Sequence, residues 1–316
     1  MELSTVGVIG LGLLGRGICA ALVGRGLHVV AVGLTDAEVD AARAEVLQGI
    51  HEMQAEGVIG PVDDETILAC FHGSCSIESV AECDFVIESV TEDLAIKQEV
   101  MQQVEAVVSH DTPVVTNTSA IPIELLQSKC KNPERIMGMH WAEPAYATRF
   151  LELIRGEATG DDAFEKAVWL ANKCEKQVSV VQRDVPGFIV NRIGYAMYRE
   201  AAYLVETGVA DPETIDRACR NAIGLWAPFC GPFRWIDISG GPALYAKAMT
   251  PVLPTLSSSK EPPAMLTEAA RGDAESDSDR KGIYQCTPEE IEAWLERFRK
   301  HVWDTWRQGT ESGEDQ

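Results

Sequence analysis

Three glycines at GxGxxG spacing, Gly10, Gly12 and Gly15, follow the apolar run 6–9 and lead into a helix-permissive stretch at 16–24. In that setting each glycine has its own task in holding a pyrophosphate. Gly10 allows the tight turn out of a strand, and Gly12 lets phosphates approach the backbone. Gly15 lets the helix pack close to the sheet with its N-terminus aimed at the anion, and Leu13 and Leu14 complete the turn. A ligand-free strand–helix corner would also use glycine. The strand before and the helix after are the context that favours a dinucleotide. Two other residues invite chemistry. His140 closes the apolar run 136–140, where a histidine is ordinarily a satisfied core residue. Glu152 stands between Leu151 and Leu153, on a strand that a doubly wound sheet buries on both faces, so its carboxylate needs a partner.

The elements that must position these groups alternate as in a mostly parallel sheet. Strands are expected at 6–9, 28–32, 85–88, 113–116, 136–140, 151–154 and 178–181, with helices at 16–24, 36–56, 65–71, 94–109, 123–128 and 161–176. Asp36 is the expected N-cap of the second helix. From Asp184 the pattern turns helical, at 187–207, 212–223 and 242–250. A polar stretch at 256–280 reads as loosely ordered surface and residues 311–316 as a disordered acidic tail. Thr287 should cap a last amphipathic helix from Pro288 to about Arg307, with Trp294, Phe298, Val302 and Trp306 on one face. The expectation is therefore an α/β fold: an N-terminal doubly wound Rossmann domain over 1–183, then an all-α C-terminal domain over 184–316.

Composition narrows the class. The 316 residues, 46% hydrophobic, suffice for two cores. No apolar run is long enough to span a membrane and the first residues lack a basic leader, so a cytoplasmic protein is expected. A net charge of −22 excludes a general nucleic-acid surface. Nine cysteines without a CxxC pair are expected as reduced, mostly buried thiols. The six histidines show no metal-ligand spacing with them, so no metal is expected.

Four later strings, with the glycine turn, resemble the L-3-hydroxyacyl-CoA dehydrogenase family. They are Ile87-Glu-Ser-Val-Thr-Glu-Asp-Leu-Ala-Ile-Lys97, Thr116-Asn-Thr-Ser119, Gly138-Met-His-Trp-Ala-Glu-Pro144 and Asp184-Val-Pro-Gly-Phe-Ile-Val-Asn-Arg192. The likeness runs to about Ala248. It implies His140 as catalytic base, Glu152 as the carboxylate that orients it, and Ser119 and Asn191 as the polar groups at the reacting oxygen. It also places Glu92 and Lys97 beside the ribose and nicotinamide end of a bound NAD, counts Asn117 among the cofactor-binding residues, and makes the helical region a dimerisation domain, hence a homodimer. The chemistry agrees, since taking a proton from a secondary alcohol as hydride leaves suits an imidazole held in one tautomer by a carboxylate.

Three departures keep the substrate open. Gly33 ends the second strand where NAD-specific relatives carry an aspartate, and no arginine follows to meet the extra phosphate of NADP. NAD is favoured, with Asp36 or Glu38 reaching the ribose, and NADP is not excluded. Glu143 replaces the family's asparagine before Pro144, a carboxylate that either acts near His140 or sits in a solvated loop. Residues 45–65 contain no lysine, and the family's glycine- and lysine-rich loop around 272–282 is degraded, which leaves the 3'-phosphate of coenzyme A little to pair with. The leading expectation is oxidation of an L-3-hydroxyacyl-CoA. The alternatives are a dehydrogenase of a free hydroxy acid, resembling gulonate and carnitine dehydrogenases, and a non-catalytic cofactor-binding relative, against which the complete catalytic set argues.

Overall fold

A computed structural model describes residues 3–270, 282–284 and 286–311, with side chains through 308. The expected loop around 272–282 and the acidic tail therefore lie largely outside the described residues. The chain forms two compact units, one of residues up to Asn191 together with the chain from Arg299, the other Arg192–Phe298. That division falls later than the expected 183/184, and the end of the last helix joins the first unit.

The first unit runs β1 (Thr5–Ile9), α1 (Leu13–Val23), β2 (His28–Val32), α2 (Asp36–Ala55), α3 (Asp64–Ala69) and β3 (Phe71–Ser74). It continues through β4 (Phe85–Glu88), α4 (Leu94–Val107), β5 (Val114–Thr116), α5 (Ile123–Gln127), β6 (Ile136–Trp141), β7 (Phe150–Ile154), α6 (Asp161–Lys173) and β8 (Gln177–Val181). The strands make one sheet in the order β3-β2-β1-β4-β5-β6-β7-β8, parallel except between β6 and β7. The interiors of β1, β4, β5, β6 and β7 are buried because helices cover both faces, whereas β3 and β8 at the ends of the sheet are partly exposed. One apolar cluster joins α1, α2 and α6 to the sheet, and a second joins α4 and α5. Two elements differ locally from the expected ones. Thr35, not Asp36, caps α2 by accepting the Glu38 amide. β3, unforeseen in the sequence, adds an edge strand beside β2.

The helical part comprises α7 (Val190–Glu206), α8 (Pro212–Ala218), α9 (Gly224–Ile238), α10 (Pro242–Val252), α11 (Ala264–Ala270) and α12 (Pro288–Glu311). α9 breaks at Gly231, whose φ of 68° lies outside the helical range between Pro228 and Pro232. Within the Arg192–Phe298 unit, the polar segment after Leu256 is held down. Glu200 accepts the Ser257 amide and Glu206 the Met265 amide, and α11 forms there. Thr287 and Glu290 exchange reciprocal hydrogen bonds in a capping box at the start of α12. The burial of α12 differs from the expected stripe. Trp294 and Phe298 are exposed, whereas Trp303 is buried against Met53 and Ala147 of the first unit. All nine cysteines are free, but only Cys19, Cys83 and Cys174 are buried.

Candidate active site

The C-terminal ends of four neighbouring strands, β1, β4, β5 and β6, carry most of the residues singled out above. This edge of a doubly wound sheet is where ligands bind, because helix N-termini and loops converge on it. After β1, Gly10 has φ +96°, and a Cβ there would lie 2.6 Å from the Ser89 carbonyl oxygen. A Cβ on Gly15 would run into the Gly10 carbonyl. Both positions are glycine for reasons internal to the chain. Gly12 is different: its φ of −68° suits any residue, and a Cβ there would meet nothing within 4 Å. A glycine at that point answers to something outside the chain. The first turn of α1 has neither a side-chain cap nor an acidic residue. Leu13 is exposed at this opening while Leu14 packs inward. Bare amides beside an open backbone fit the pyrophosphate of a dinucleotide.

At the ends of β4 and β5 a carboxylate network sets the next wall. Glu88, fully buried, accepts from Lys97 Nζ at 2.8 Å, Thr116 Oγ1 at 2.6 Å and the Val90 amide at 2.7 Å. Lys97 also donates to the Val90 carbonyl and lies 3.4 Å from Glu92 Oε2. Only 1% exposed, Lys97 spends its ammonium inside the protein, so it serves the site through Glu92. Glu92 Oε1 accepts the Thr118 hydroxyl and the amides of Ser119 and Ala120. Burial pushes Glu92 up, but the Thr118 hydroxyl, the Lys97 charge and those amides outweigh it and hold the carboxyl below its usual range. Asn117 is spent likewise, accepting the Trp141 amide and donating to Ser89 Oγ. It ties β5 to β6 and to the turn after β4. Glu88 escaped the sequence reading, although Lys97 nine residues on, at a helix start, was a signal for a buried pair.

His140 and Glu152 face each other because the antiparallel register of β6 and β7 pairs them directly. Their side chains meet at 2.8 Å, Nδ1 to Oε2, with Glu152 fully buried and His140 7% exposed. Nδ1 donates to the carboxylate, which leaves Nε2 of the neutral ring as the acceptor. The other carboxylate oxygen accepts the Ile189 and Val190 amides, each at 3.0 Å. Those amides converge because Gly187 and Phe188 have φ of 75° and 49°, turning the chain just ahead of α7. The Pro-Gly-Phe string thus holds the N-terminus of α7 on Glu152, an arrangement that sequence order alone does not reveal. Phe188 and Phe150 flank the imidazole at 5.9 and 5.7 Å between centroids. Asn191, in the first turn of α7, donates to the Ser119 carbonyl at 2.8 Å, so these two sit side by side.

Two charged groups lie on the β6–β7 connection and near it. Glu143 is pushed up to about 7 by desolvation, then by the Glu45 carboxylate, and its Oε2 lies near Gly17 of α1. Lys176 donates to the Ala145 and Thr148 carbonyls and lies under the Trp141 ring at 5.1 Å, and burial lowers it to about 8. It anchors the connection that separates His140 from Glu152. Among the described residues no group of three or more His, Cys, Asp or Glu is placed to hold a metal ion.

A glycine turn and a buried His–Glu pair on one edge of a Rossmann sheet define an NAD-dependent dehydrogenase of the kind that acts on secondary alcohols. The chain belongs to the 3-hydroxyacyl-CoA dehydrogenase family, whose NAD-binding domain matches residues 5–185 and whose C-terminal domain matches residues 187–286. It is 33% identical over 298 residues to 5-formyl-3-hydroxy-2-methylpyridine 4-carboxylate 5-dehydrogenase of Mesorhizobium japonicum, covering 94% of this chain and 96% of that one. To 3-hydroxybutyryl-CoA dehydrogenase of Bradyrhizobium diazoefficiens it is 32% identical over 235 residues, 74% of this chain and 79% of the relative. Among solved structures, the pyridine carboxylate 5-dehydrogenase, described as an NAD+-dependent dismutase, superposes with a TM-score of 0.89 at 31% identity. It covers 97% of this chain and 98% of its own. The (S)-3-hydroxybutyryl-CoA dehydrogenase of Ralstonia eutropha gives 0.72 at 30% identity, covering 90% and 99%.

Proposed function

We propose that this protein moves hydride between NAD and a small free hydroxy acid, rather than a coenzyme A thioester, and works as a homodimer through its Arg192–Phe298 unit. The carrying observation is the surface of α2 and α3. Glu45, Glu52, Glu56, Asp63, Asp64 and Glu65 lie there, and residues 45–65 contain no lysine or arginine. The arginines at its margin are spent on acids, Arg43 of α2 on Asp40 and Arg16 on Glu45. The chain's own last helix covers the end of α2, with Trp303 against Met53 and Arg307 paired with Glu56. A nucleotide bearing a 3'-phosphate finds an excess of carboxylates there, with Arg16 and Arg307 already paired to Glu45 and Glu56. The full-length match to a dehydrogenase of a free pyridine carboxylate supports the same reading.

In this mechanism Gly10, Gly12, Gly15 and the first amides of α1, including Leu13 and Leu14, hold the pyrophosphate. Glu92 borders the ribose and nicotinamide end, with Lys97 and Asn117 fixing the loops around it. NAD, when bound, supplies the hydride acceptor. His140 Nε2 takes the hydroxyl proton, and the imidazolium so formed is stabilised by Glu152, itself kept as an acceptor by the Ile189 and Val190 amides. Ser119 and Asn191 donate to the oxygen on which charge gathers. In the reverse direction His140 returns the proton.

The test is NADH oxidation with acetoacetyl-CoA, beside free acetoacetate and a panel of hydroxy acids with NAD. Turnover of free acids that is lost in His140→Asn, with NADH binding kept, is the expected result. Fast turnover of the thioester alone would overturn the choice of substrate. A 3-hydroxyacyl-CoA is the second reading, carried by the 32% identity to the Bradyrhizobium enzyme.

A further inference from the structure

The adenosine ribose of a dinucleotide is ordinarily read by a carboxylate at the end of the second strand, some 20 residues beyond the glycine turn. Here that position is Gly33, which has no side chain. The space beside it is nonetheless filled by a carboxylate. A Cβ on Gly33 would lie 3.3 Å from Glu38 Oε2, 3.4 Å from Glu38 Cβ and 3.1 Å from Leu11 Cδ1. Glu38 reaches back from the first turn of α2, and its Oε2 accepts the Leu34 amide at 2.8 Å. Leu34 itself is 87% exposed, so this contact holds the carboxylate at the open edge of the sheet. The glycine turn is its neighbour, since the Gly10 amide donates to the Val32 carbonyl at 2.8 Å. Asp36, the other acid nearby, is turned away and accepts from Cys75 Sγ at 3.4 Å.

The structure assigns cofactor selection to Glu38. This rests on the dinucleotide site described above and adds to it the residue that separates NAD from NADP. The strand-end acid has been moved to α2, and a glycine at the strand end is what makes room for it. One oxygen of Glu38 is fixed by the Leu34 amide. The other accepts from the ribose hydroxyls of NAD, and the charge repels the 2'-phosphate of NADP. No arginine or lysine stands at positions 33–42 to offset that repulsion.

Fluorescence titrations of NADH and NADPH on wild type, Glu38→Gln, Glu38→Ala and Asp36→Asn test the assignment without turnover. Glu38→Gln removes the charge at constant shape, and Glu38→Ala also removes the contact to Leu34. Both should weaken NADH roughly tenfold, the size of a lost charge-assisted hydrogen bond, and tighten NADPH, so the preference falls by at least that factor. Asp36→Asn should leave the ratio within about twofold of wild type. Wild-type binding of NADH with an unmoved ratio in both Glu38 variants overturns the assignment alone. Wild type that binds neither dinucleotide overturns the site and the assignment together.

Discussion

At the scale of single residues, the groups that matter are those whose charge is decided by neighbours. Glu143 is the plainest case. Desolvation and the Glu45 carboxylate hold its proton on to about 7, against an ordinary 4.5 in the unfolded chain. Between those values the folded protein binds more protons than the unfolded one, so stability falls as pH rises through the window, and the loss is complete above 7. Glu143→Gln removes the penalty. After discounting for the exposed part of the side chain, the gain should be on the order of 1 kcal/mol at pH 8 and should vanish near pH 4.5. Urea denaturation at the two pH values measures it, and an equal gap at both would show that the charge is not the cause. The same scale explains Gly33. An aspartate there would seem to restore the usual ribose acid. Its Cβ would instead crowd Leu11 and set a second carboxylate against Glu38.

At the scale of elements, the site depends on what each strand end or helix start delivers. β6 and β7 deliver His140 to Glu152 by register, and α7 delivers two amides to the same carboxylate. α12 delivers Trp303 to the end of α2, its ring 6.2 Å from that of Tyr146 and its surface 4% exposed. Trp303→Ala should cost about 3–5 kcal/mol in urea denaturation, the range for a buried aromatic, whereas Trp294→Ala, at an exposed position, should be near neutral. Equal small losses would mean that α12 is not seated on the first unit. Much of this layer is legible in the sequence. The glycine spacing and the apolar runs mark β1, β2, β4 and β6, and a carboxylate between two leucines announces a partner. What escapes is settled by tertiary contact. β3 reads as Phe-His-Gly-Ser, too short and polar to announce a strand, and exists because β2 offers it an edge. Trp303 escapes because the helical period of α12 points equally well to the face of Trp294 and Phe298. The Ile189 and Val190 amides escape because backbone groups leave no mark on a pattern of side chains.

At the scale of the whole molecule, charge and apolar surface pull in opposite directions. No helix among the described residues is long and apolar enough to cross a membrane. In the Arg192–Phe298 unit, however, Leu225, Phe229 and Phe233 of α9 are 73%, 70% and 83% exposed, and Ile193, Tyr195 and Ile238 are more than half exposed. The aromatics among them carry about 150–250 Å² each, and Leu225, Phe229 and Phe233 follow one another at four-residue spacing along α9. A second copy is the occupant consistent with closed symmetry, because the same patch then covers itself. Its approach is opposed by a net charge of −22 on each chain. That repulsion is screened over about 10 Å at 0.1 M salt, while apolar burial is not weakened by salt. Light scattering after size exclusion should therefore show a dimer whose dissociation constant falls as sodium chloride is raised from 0.02 to about 0.3 M. Phe233→Asp, which puts a carboxylate into the patch, should yield monomers at every salt concentration while NADH binding persists, because the dinucleotide turn lies in the other unit. A monomeric wild type at high salt would overturn the dimer, and a dimeric Phe233→Asp would move the interface off α9.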